Sequence, residues 1–310
     1  MSMVRTHAWA AMGTTARLVV VGGDETLVAL ATDRIDTLEQ RWSRFLPTSE
    51  ISRLNAAAGT PCVVSDDTAL LVEQLVIAWQ RTGGRFDPTV LDTLLALGYD
   101  RAWPFAHAGS SSEAVVSPGC HGIEVDRRSG LVWLPDGVHL DPGGLGKGLA
   151  ADLVASALMM AGADGVLVEL GGDVRVVGDA PDGGAWRVEI EDPVAPTETI
   201  AVVQTTDGGV ATSSTSKRRW RLAADQHHRE VHHVVDPRTG RSALTAATSA
   251  TALAPSAAIA EVGATVALLD GDLAGAPWVF AALLADGDGS TRCLGDDTLF
   301  RRLDVAAAQA

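Results

Sequence analysis

The sequence contains few cysteines and almost no lysine. Cys62, Cys120 and Cys293 are widely spaced and odd in number, so they provide neither a disulfide framework nor a metal-binding quartet. We interpret them as structural or incidental residues. Only two of the 24 Lys and Arg residues are lysines, Lys147 and Lys217. A lysine in a distinctive motif is therefore not simply the default cation of this chain.

Long apolar runs are also missing. No segment reaches the roughly 18 uninterrupted apolar residues of a membrane span, and the stretch MSMVRTHAWAAMGTT lacks the apolar core of a signal peptide. We expect a cytoplasmic protein that does not insert into membranes. The formal net charge of −15 argues against nonspecific binding to nucleic acid or to anionic membranes, because both are polyanions. An anionic ligand therefore needs a site that differs locally from the rest of the chain.

The chain does contain helical and strand-like segments, and 46% of its 310 residues are hydrophobic. Residues 14–21 read as a strand, apolar residues recur at helical spacing over 25–45, and 66–82 read as a capped helix. Hairpins are predicted around Ser129-Gly130 and Gly171-Gly172. Closely joined hairpins indicate antiparallel sheet. Because strands and helices do not alternate strictly, we predict an α+β fold over a doubly wound parallel sheet.

The stretch LDPGGLGKGLAADL at residues 140–153 places four glycines around Lys147, before an apolar helical stripe that starts at Leu149 and ends near Gly162. A helix start offers free N–H groups and partial positive charge to an anion, and glycine allows close approach. An anion site and glycines needed only for close packing both remain open. A Walker loop needs Ser or Thr where this chain has Gly148, and the dinucleotide spacing G-x-G-x-x-G is absent. Neither a P-loop ATPase nor a Rossmann dehydrogenase is supported.

Two segments offer carboxylates. Asp87 precedes a proline in FDPTV, which favours an extended or turn conformation that presents its side chain, although a simple turn explains it equally well. Glu261 and Thr265 are four residues apart and share one face of a predicted helix. Their oxygens suit a hard cation such as Mg²⁺. A solvated Glu and a helix-facing Thr are the alternative explanation.

Histidines and basic residues cluster in the last third of the chain. The histidines lack a clear zinc-ligand spacing, so we assign no metal to them. They are His227, His228, His232 and His233. The run from Lys217 to Arg219 follows a hydroxyl-rich stretch. It could attract an acidic segment of a partner protein, but a solvated basic loop explains it better.

Taken together and in this order, the segments resemble the ApbE family of FAD:protein FMN transferases. The matching stretches run from residue 12 to about 270: MGTT, FLPTSEISRLN, GGRFDPTV, LDPGGLGKGLAAD, LGGDVRVVG, GVATS, HHVVDPRTGR and APSAAIAEVGAT. The resemblance implies one domain over residues 1–310, with an α+β fold related to the T-fold, antiparallel sheets flanked by helices, and FAD held between two interlocked subdomains. It further implies Mg²⁺-dependent cleavage of the FAD pyrophosphate, transfer of FMN to a Thr or Ser hydroxyl of a target protein, and release of AMP.

The resemblance also implies roles for individual residues. The FAD site would be formed by Met12, Phe45, Phe86, Asp87, Pro88, Asp141, Lys147 and the backbone near Val234, with Asn55 nearby. Lys147 would add positive charge beside the phosphates. The carbonyl of Gly144 and the side chains of Glu261 and Thr265 would bind Mg²⁺. His233 and Asp236 would handle protons or position other groups.

The chain departs from the family's usual pattern at four positions. Glu261 stands where Asp is usual, and the extra methylene moves the carboxylate by about 1.5 Å, a distance to which octahedral Mg²⁺ geometry is sensitive. Pro142 replaces leucine, Ser214 replaces glycine and Phe45 replaces tyrosine. Two alternatives to a transferase therefore stay open. One is an FAD pyrophosphatase, in which water replaces the protein hydroxyl, and the other is an FAD-binding protein that has lost its chemistry through the change at Glu261.

Overall fold

The computed structural model describes residues 3–102, 114–222 and 230–303. Within these ranges the chain forms six α-helices and eighteen β-strands, and none of these helices is long and apolar enough to cross a membrane. The helices are α1 (Thr26–Trp42), α2 (Glu50–Ala56), α3 (Asp66–Arg81), α4 (Leu91–Ala96), α5 (Gly146–Met160) and α6 (Ala257–Asp270). The strands are β1 (Val4–Ala11), β2 (Thr14–Val21), β3 (Cys62–Val63), β4 (Glu124–Asp126), β5 (Leu131–Trp133), β6 (Gly165–Leu170), β7 (Asp173–Gly178), β8 (Trp186–Glu191), β9 (Thr199–Thr205), β10 (Asp207–Ser214), β11 (Arg219–Arg221), β12 (Glu230–His232), β13 (Val235–Asp236), β14 (Arg241–Ser242), β15 (Ser249–Ala254), β16 (Ala281–Ala285), β17 (Thr291–Gly295) and β18 (Phe300–Arg302).

The chain divides into two compact units, each built from separate stretches. The first unit comprises Met1–Ile35, Lys147–Ser216 and Thr245–Ala310, and the second comprises Asp36–Gly146 and Lys217–Leu244. In the first, eight of the described strands form a sheet in the order β1-β2-β6-β7-β10-β15-β16-β17, and three more form the sheet β18-β9-β8. In the second, short strands pair as β3-β5-β4, β11-β12 and β13-β14. Neighbouring strands run antiparallel, which confirms the predicted α+β fold.

The core of the first unit includes a layer between its two sheets. Val19 and Val21 of β2 pack in one cluster with Trp186 and Ile190 of β8. Because side chains alternate along a strand, Leu18 points to the opposite face, and it is buried there as well. On the large sheet, helix α6 packs against β10 and β15. A strand segment that is buried on both faces is apolar at every position, as the LVVV run at residues 18–21 of β2 shows.

Most predicted local elements match the structure. Residues 14–21 form β2, and α3 begins directly after Ser65, whose hydroxyl accepts the N–H of Thr68. The predicted hairpins are β4–β5 and β6–β7, and Gly171 and Gly172 adopt positive φ in the second turn. Helix α5 begins at Gly146, which places the glycines at its N-terminus as predicted and extends it one turn before the apolar stripe that starts at Leu149. Its glycine-rich first turn has low intrinsic helix propensity and depends on tertiary contacts that local spacing does not reveal.

Candidate functional site

A buried group of charges lies at the start of α5 in the first unit. The Lys147 Nζ is 2.6 Å from Asp173 Oδ2 and 2.5 Å from Glu261 Oε1. The side chains of Asp173 and Glu261 are only 4% and 5% exposed. We call these three residues the Lys147 cluster. Two carboxylates share one ammonium, so the cluster carries a surplus of negative charge in a place with little access to water.

This surplus governs how the cluster ionises. Burial raises the pKa of Glu261 and the neighbouring Asp173 carboxylate raises it further, against the opposing effect of Lys147. Burial alone would lower the pKa of Lys147, but Asp173 and Glu261 together raise it above its usual value. The ammonium is therefore held in its charged form, and Glu261 is the carboxylate that takes up a proton more readily than usual to relieve the surplus. A bound cation would remove that imbalance.

Glu261 also closes the first turn of α5, because its Oε2 accepts the N–H of Gly148 at 2.8 Å. Conversely, a carboxylate of α5 caps the start of α6. Asp152 accepts hydrogen bonds from the N–H groups of Ala257 and Ala258, at 2.9 and 3.0 Å. A Cβ atom on Gly148 would lie 2.5 Å from the carbonyl oxygen of Ala257, so this close approach requires glycine. The helix start does bind an anion, but that anion is the chain's own Glu261, and Gly148 serves close packing.

Thr265 lies one turn after Glu261 on α6. Its Oγ1 is 3.2 Å from the Glu261 carbonyl oxygen and 3.1 Å from Ser213 Oγ on β10. The structure therefore places Thr265 one turn after Glu261, with its hydroxyl on the Glu261 backbone carbonyl, and oxygen donors of this kind suit a hard cation such as Mg²⁺ better than zinc. In the described part of the chain, no three His, Cys, Asp or Glu side chains form a group that could hold a metal. A cation here would need hydroxyl, carbonyl or water oxygens as well.

Gly144, the third predicted metal ligand, belongs to the second unit. A Cβ atom on it would lie 2.8 Å from Phe86 Cε2, so glycine at this position lets the buried Phe86 ring pack against the backbone. Asn55 of α2 uses both ends of its amide on the backbone of Leu140, donating to the carbonyl at 2.9 Å and accepting the N–H at 2.8 Å. Both Asn55 and Gly144 thus shape the segment around residue 141. The role of the Gly144 carbonyl stays a prediction.

Asp141 is fixed by three contacts within the second unit. Its Oδ2 accepts from Arg44 Nε at 2.9 Å, and its Oδ1 accepts the N–H of Gly143 at 2.7 Å. Its own N–H donates to the carbonyl of Pro88 at 2.7 Å. The side chains of Arg44 and Asp141 are 6% and 9% exposed. A carboxylate held this way presents one orientation to a ligand.

Arg44 is itself held by aromatic rings and a backbone carbonyl. Its guanidinium carbon lies 4.1 Å from the ring centre of Phe45 and 4.6 Å from that of Tyr99, and Nη1 donates to the Tyr99 carbonyl at 2.9 Å. Phe45 remains half-buried.

Asp87, which directly precedes Pro88, is bound within its own turn. Its Oδ1 accepts the N–H and the hydroxyl of Thr89 at 2.8 and 2.6 Å. Burial nevertheless raises the pKa of Asp87. These contacts make Asp87 a turn residue, whatever it binds.

Asp236 lies in a turn that begins at the end of β13. Its Oδ1 accepts from Arg238 Nε and its Oδ2 from Arg238 Nη2, both at 2.8 Å, and its carbonyl accepts the N–H of Gly240 at 2.9 Å. Burial would raise the pKa of Asp236, but the hydrogen bonds and charge of Arg238 hold it below its usual value. Of the two predicted roles, this geometry favours positioning over proton transfer.

The remaining predicted residues lie in two places. Val234 is buried and its carbonyl accepts the N–H of Ala243 at 2.9 Å, while His233 is partly exposed between β12 and β13. Met12 lies in the first unit, in the turn between β1 and β2, with a φ of 50°, followed by Gly13 at 67°. Both angles suit a type I′ hairpin turn, which methionine adopts only at a cost. His227 and His228 fall outside the described residues. The ligand contacts predicted for Met12, Val234 and His233 stay predictions.

Sequence reasoning missed two side chains that organise these sites, Asp173 and Arg44. Asp173 follows the glycine turn of LGGDVRVVG, where a carboxylate begins an otherwise largely apolar strand. That contrast is a usable signal for a buried charge with a partner. Arg44 gives no comparable signal, because its partner Asp141 is distant in sequence and only the fold brings them together.

The fold and the geometry define a class of protein. It is an antiparallel α+β protein that contains the buried Lys147 cluster in one unit and the fixed Asp141 carboxylate in the other. The ApbE family model matches residues 12–282, and the chain belongs to the ApbE family. It is 30% identical to the FAD:protein FMN transferase of Klebsiella pneumoniae over 261 residues, which cover 79% of this chain and 73% of that protein. It is also 30% identical to the FAD:protein FMN transferase of Treponema pallidum over 268 residues, covering 79% and 72%.

Solved structures agree on the fold. The ApbE protein of Thermotoga maritima superposes with a TM-score of 0.81 at 22% identity, covering 97% of this chain and 100% of that chain. The flavin transferase ApbE of Vibrio cholerae superposes with a TM-score of 0.78 at 22% identity, covering 96% and 99%. At this identity the likeness establishes the architecture. It is mixed helix and antiparallel sheet, as the sequence predicts.

Proposed function

We propose that this protein transfers FMN from FAD to a Thr or Ser hydroxyl of an acceptor protein in a Mg²⁺-dependent reaction. The observation that carries the proposal is the Lys147 cluster, in which two buried carboxylates share one ammonium, with the Thr265 hydroxyl one helical turn after Glu261; these oxygen atoms suit a hard cation. Membership of the ApbE family supports it, because relatives that are 30% identical are named FAD:protein FMN transferases.

The proposed reaction is a phosphoryl transfer, in which one bond to phosphorus forms and another breaks. The acceptor hydroxyl oxygen forms a bond to the phosphorus on the riboflavin side of FAD, and the bond from that phosphorus to the bridging oxygen breaks. AMP leaves with the bridging oxygen, and the hydroxyl proton passes to a base or to solvent. Mg²⁺ would neutralise charge on the phosphate oxygens during this exchange. Glu261 and Thr265 are the residues of the first unit that we propose hold it.

The residues of this chain would act mainly by positioning. Asp141 cannot swing freely because Arg44 and Gly143 bind its two oxygens, so it would contact the flavin in one fixed orientation. Half-buried Phe45 would offer aromatic surface without a hydroxyl, whereas buried Phe86 would act by packing against Gly144. Lys147 would keep its proton throughout, because the carboxylates around it raise its pKa. It would therefore act as a charge and not as a base.

The experiment combines purified protein, FAD and Mg²⁺, with and without candidate acceptor proteins that expose a Thr or Ser. We expect FMN attached to an acceptor in intact-mass spectra and an equal amount of AMP by chromatography. Glu261→Gln should lower the rate by about a hundredfold or more, because removing the charge weakens a metal ligand. Glu189→Gln is the control, since Glu189 is an exposed residue of β8.

The alternatives have distinct outcomes in the same assay. Equal amounts of free FMN and AMP, with no labelled acceptor, would identify a pyrophosphatase. Tight FAD binding with neither product would identify a binding protein. Full activity of Glu261→Gln, or activity that survives removal of divalent ions with EDTA, would overturn the proposed metal role.

A further inference from the structure

The Lys147 ammonium binds Glu261 Oε1, which is the carboxylate oxygen that a cation at Glu261 would approach. Both Glu261 oxygens are engaged, Oε1 by Lys147 at 2.5 Å and Oε2 by the Gly148 N–H at 2.8 Å. The contact to Gly148 closes a helix turn and is fixed by the backbone. The contact to Lys147 is made by a long, rotatable side chain that is 18% exposed. Of the two contacts, only the one to Lys147 can give way without disturbing α5.

Asp173 gives the ammonium a second partner. It is the first residue of β7, and strand alternation places it with Arg175 on one face, whereas Val174 and Val176 point into the core between the sheets. Its Oδ2 is 2.6 Å from Lys147 Nζ, and its side chain is 4% exposed. An ammonium that left Glu261 would therefore stay paired in the interior. Without Asp173, the same movement would leave the buried ammonium without either of the carboxylates that pair with it among the described residues.

We propose that Lys147 is a built-in competitor for the divalent cation at Glu261, and that Asp173 is the positioning residue that retains the Lys147 ammonium when the cation binds. This inference rests on the metal role proposed for Glu261. Cation binding exchanges one Lys147 contact for a metal contact and keeps the other ion pair intact. The affinity for metal is thus set by a balance between two carboxylates and one lysine.

The first test measures Mn²⁺ binding by the loss of its free-ion EPR signal, using the intact protein without FAD or acceptor. Lys147→Gln removes the competitor and should tighten Mn²⁺ binding about tenfold or more, because a positive charge next to the ion is lost. Asp173→Asn removes the retaining carboxylate and should weaken binding by a similar factor. Asp192→Asn is the control. Asp192 is a comparably buried aspartate of the same unit that binds only backbone N–H groups in its loop, and its loss should not change Mn²⁺ affinity.

A second measurement takes its main result from the unmutated protein, so that result does not depend on mutant folding. The chain has only two lysines, Lys147 and Lys217, so ¹⁵N-labelled lysine gives two Nζ signals. Titration with Mg²⁺ should shift the Lys147 signal as its Glu261 contact is lost and leave the Lys217 signal in place. In Asp173→Asn, Mg²⁺ should also speed hydrogen exchange at Lys147 Nζ.

Three results would overturn the inference: weaker or unchanged Mn²⁺ binding in Lys147→Gln, unchanged binding in Asp173→Asn, or Mg²⁺ binding that leaves the Lys147 signal unmoved. Failure of all variants and of the wild type to bind Mn²⁺ would overturn it too. Because these measurements contain no flavin, they are separate from the proposed function. A protein can show the competition and still fail to transfer FMN, and that pattern would count against the function alone.

Discussion

Arg44 is the side chain on which the geometry of Asp141 depends. Arg44→Gln would leave a carboxylate that is 9% exposed without its counter-charge. Breaking a buried pair from one side costs about 3–5 kcal/mol, so we expect a loss of that order in the free energy of unfolding. Arg44→Lys should cost less, because it keeps the charge but loses the planar fork that reaches both Asp141 and the Tyr99 carbonyl. Urea denaturation measures both.

The double variant Arg44→Gln with Asp141→Asn distinguishes the energy of the Arg44–Asp141 ion pair from the effect of removing side-chain atoms. Removing both charges should be less destabilising than the sum of the two single changes, because neither partner is then left buried and charged. Additive losses would show that the pair contributes nothing beyond packing. FAD titration of the same variants then tests whether a fixed Asp141 matters for the ligand.

For individual residues, the sequence predicts which side chains belong to a site better than it predicts which side chains they contact. Glu261 and Thr265 are predicted together because four-residue spacing on a helix is local information, and the structure places them together. Lys147 is predicted to offer positive charge to a ligand, yet its charge is shared by two carboxylates of the chain. Asp173 and Glu261 are too distant in sequence for spacing to reveal that contact. Pairing between remote segments is information that only the folded chain supplies.

At the scale of elements, α5 and α6 begin against each other. Gly148→Ala should destabilise the protein by about 1–3 kcal/mol, because overpacking outweighs the better helix propensity of alanine. The new Cβ would meet backbone atoms of Ala257 at 2.5 and 2.6 Å, and backbone cannot rotate away. Thermal denaturation and urea unfolding give the size of the loss.

Gly146→Ala is the matched control for this prediction. It lies in the same first turn, and its new Cβ would be 3.5 Å from Pro142 Cβ, which is ordinary contact. We expect no loss, or a gain of about 0.5–1 kcal/mol from a less flexible unfolded chain. Equal effects at both positions would show that helix propensity, and not the approach of α6, decides this turn.

The same helix start shows why element boundaries were only partly predictable. Apolar spacing finds α5 from Leu149 onward, but the first turn is fixed by Glu261 binding the Gly148 N–H and by the approach to Ala257. By contrast, β6–β7 has its signal within one short segment, and the Gly171-Gly172 turn is where the sequence predicts it. Sheet order could not be predicted, because β2 pairs with β6 and β7 with β10 across long stretches of chain.

On the scale of the whole molecule, charge is the property that composition fixes most firmly. The protein carries a formal net charge of −15, and the two phosphates of the proposed substrate FAD are also anionic. The Lys147 cluster does not reverse this, since its two carboxylates outnumber its ammonium. The approach of FAD should therefore be opposed at long range and become favourable only through short-range contacts and a bound cation.

The rate of FAD association should accordingly rise with salt. Screening shortens the range of repulsion from about 20 Å at 20 mM to about 7 Å at 200 mM ionic strength, and we expect the association rate to increase by about twofold or more. Stopped-flow quenching of flavin fluorescence measures that rate at fixed Mg²⁺. Riboflavin shares the ring but has no phosphate, so any association it shows should be nearly independent of salt. A rate for FAD that falls with salt would reveal a strong local positive potential, and the basic run from Lys217 to Arg219 would then be the first place to introduce neutral substitutions.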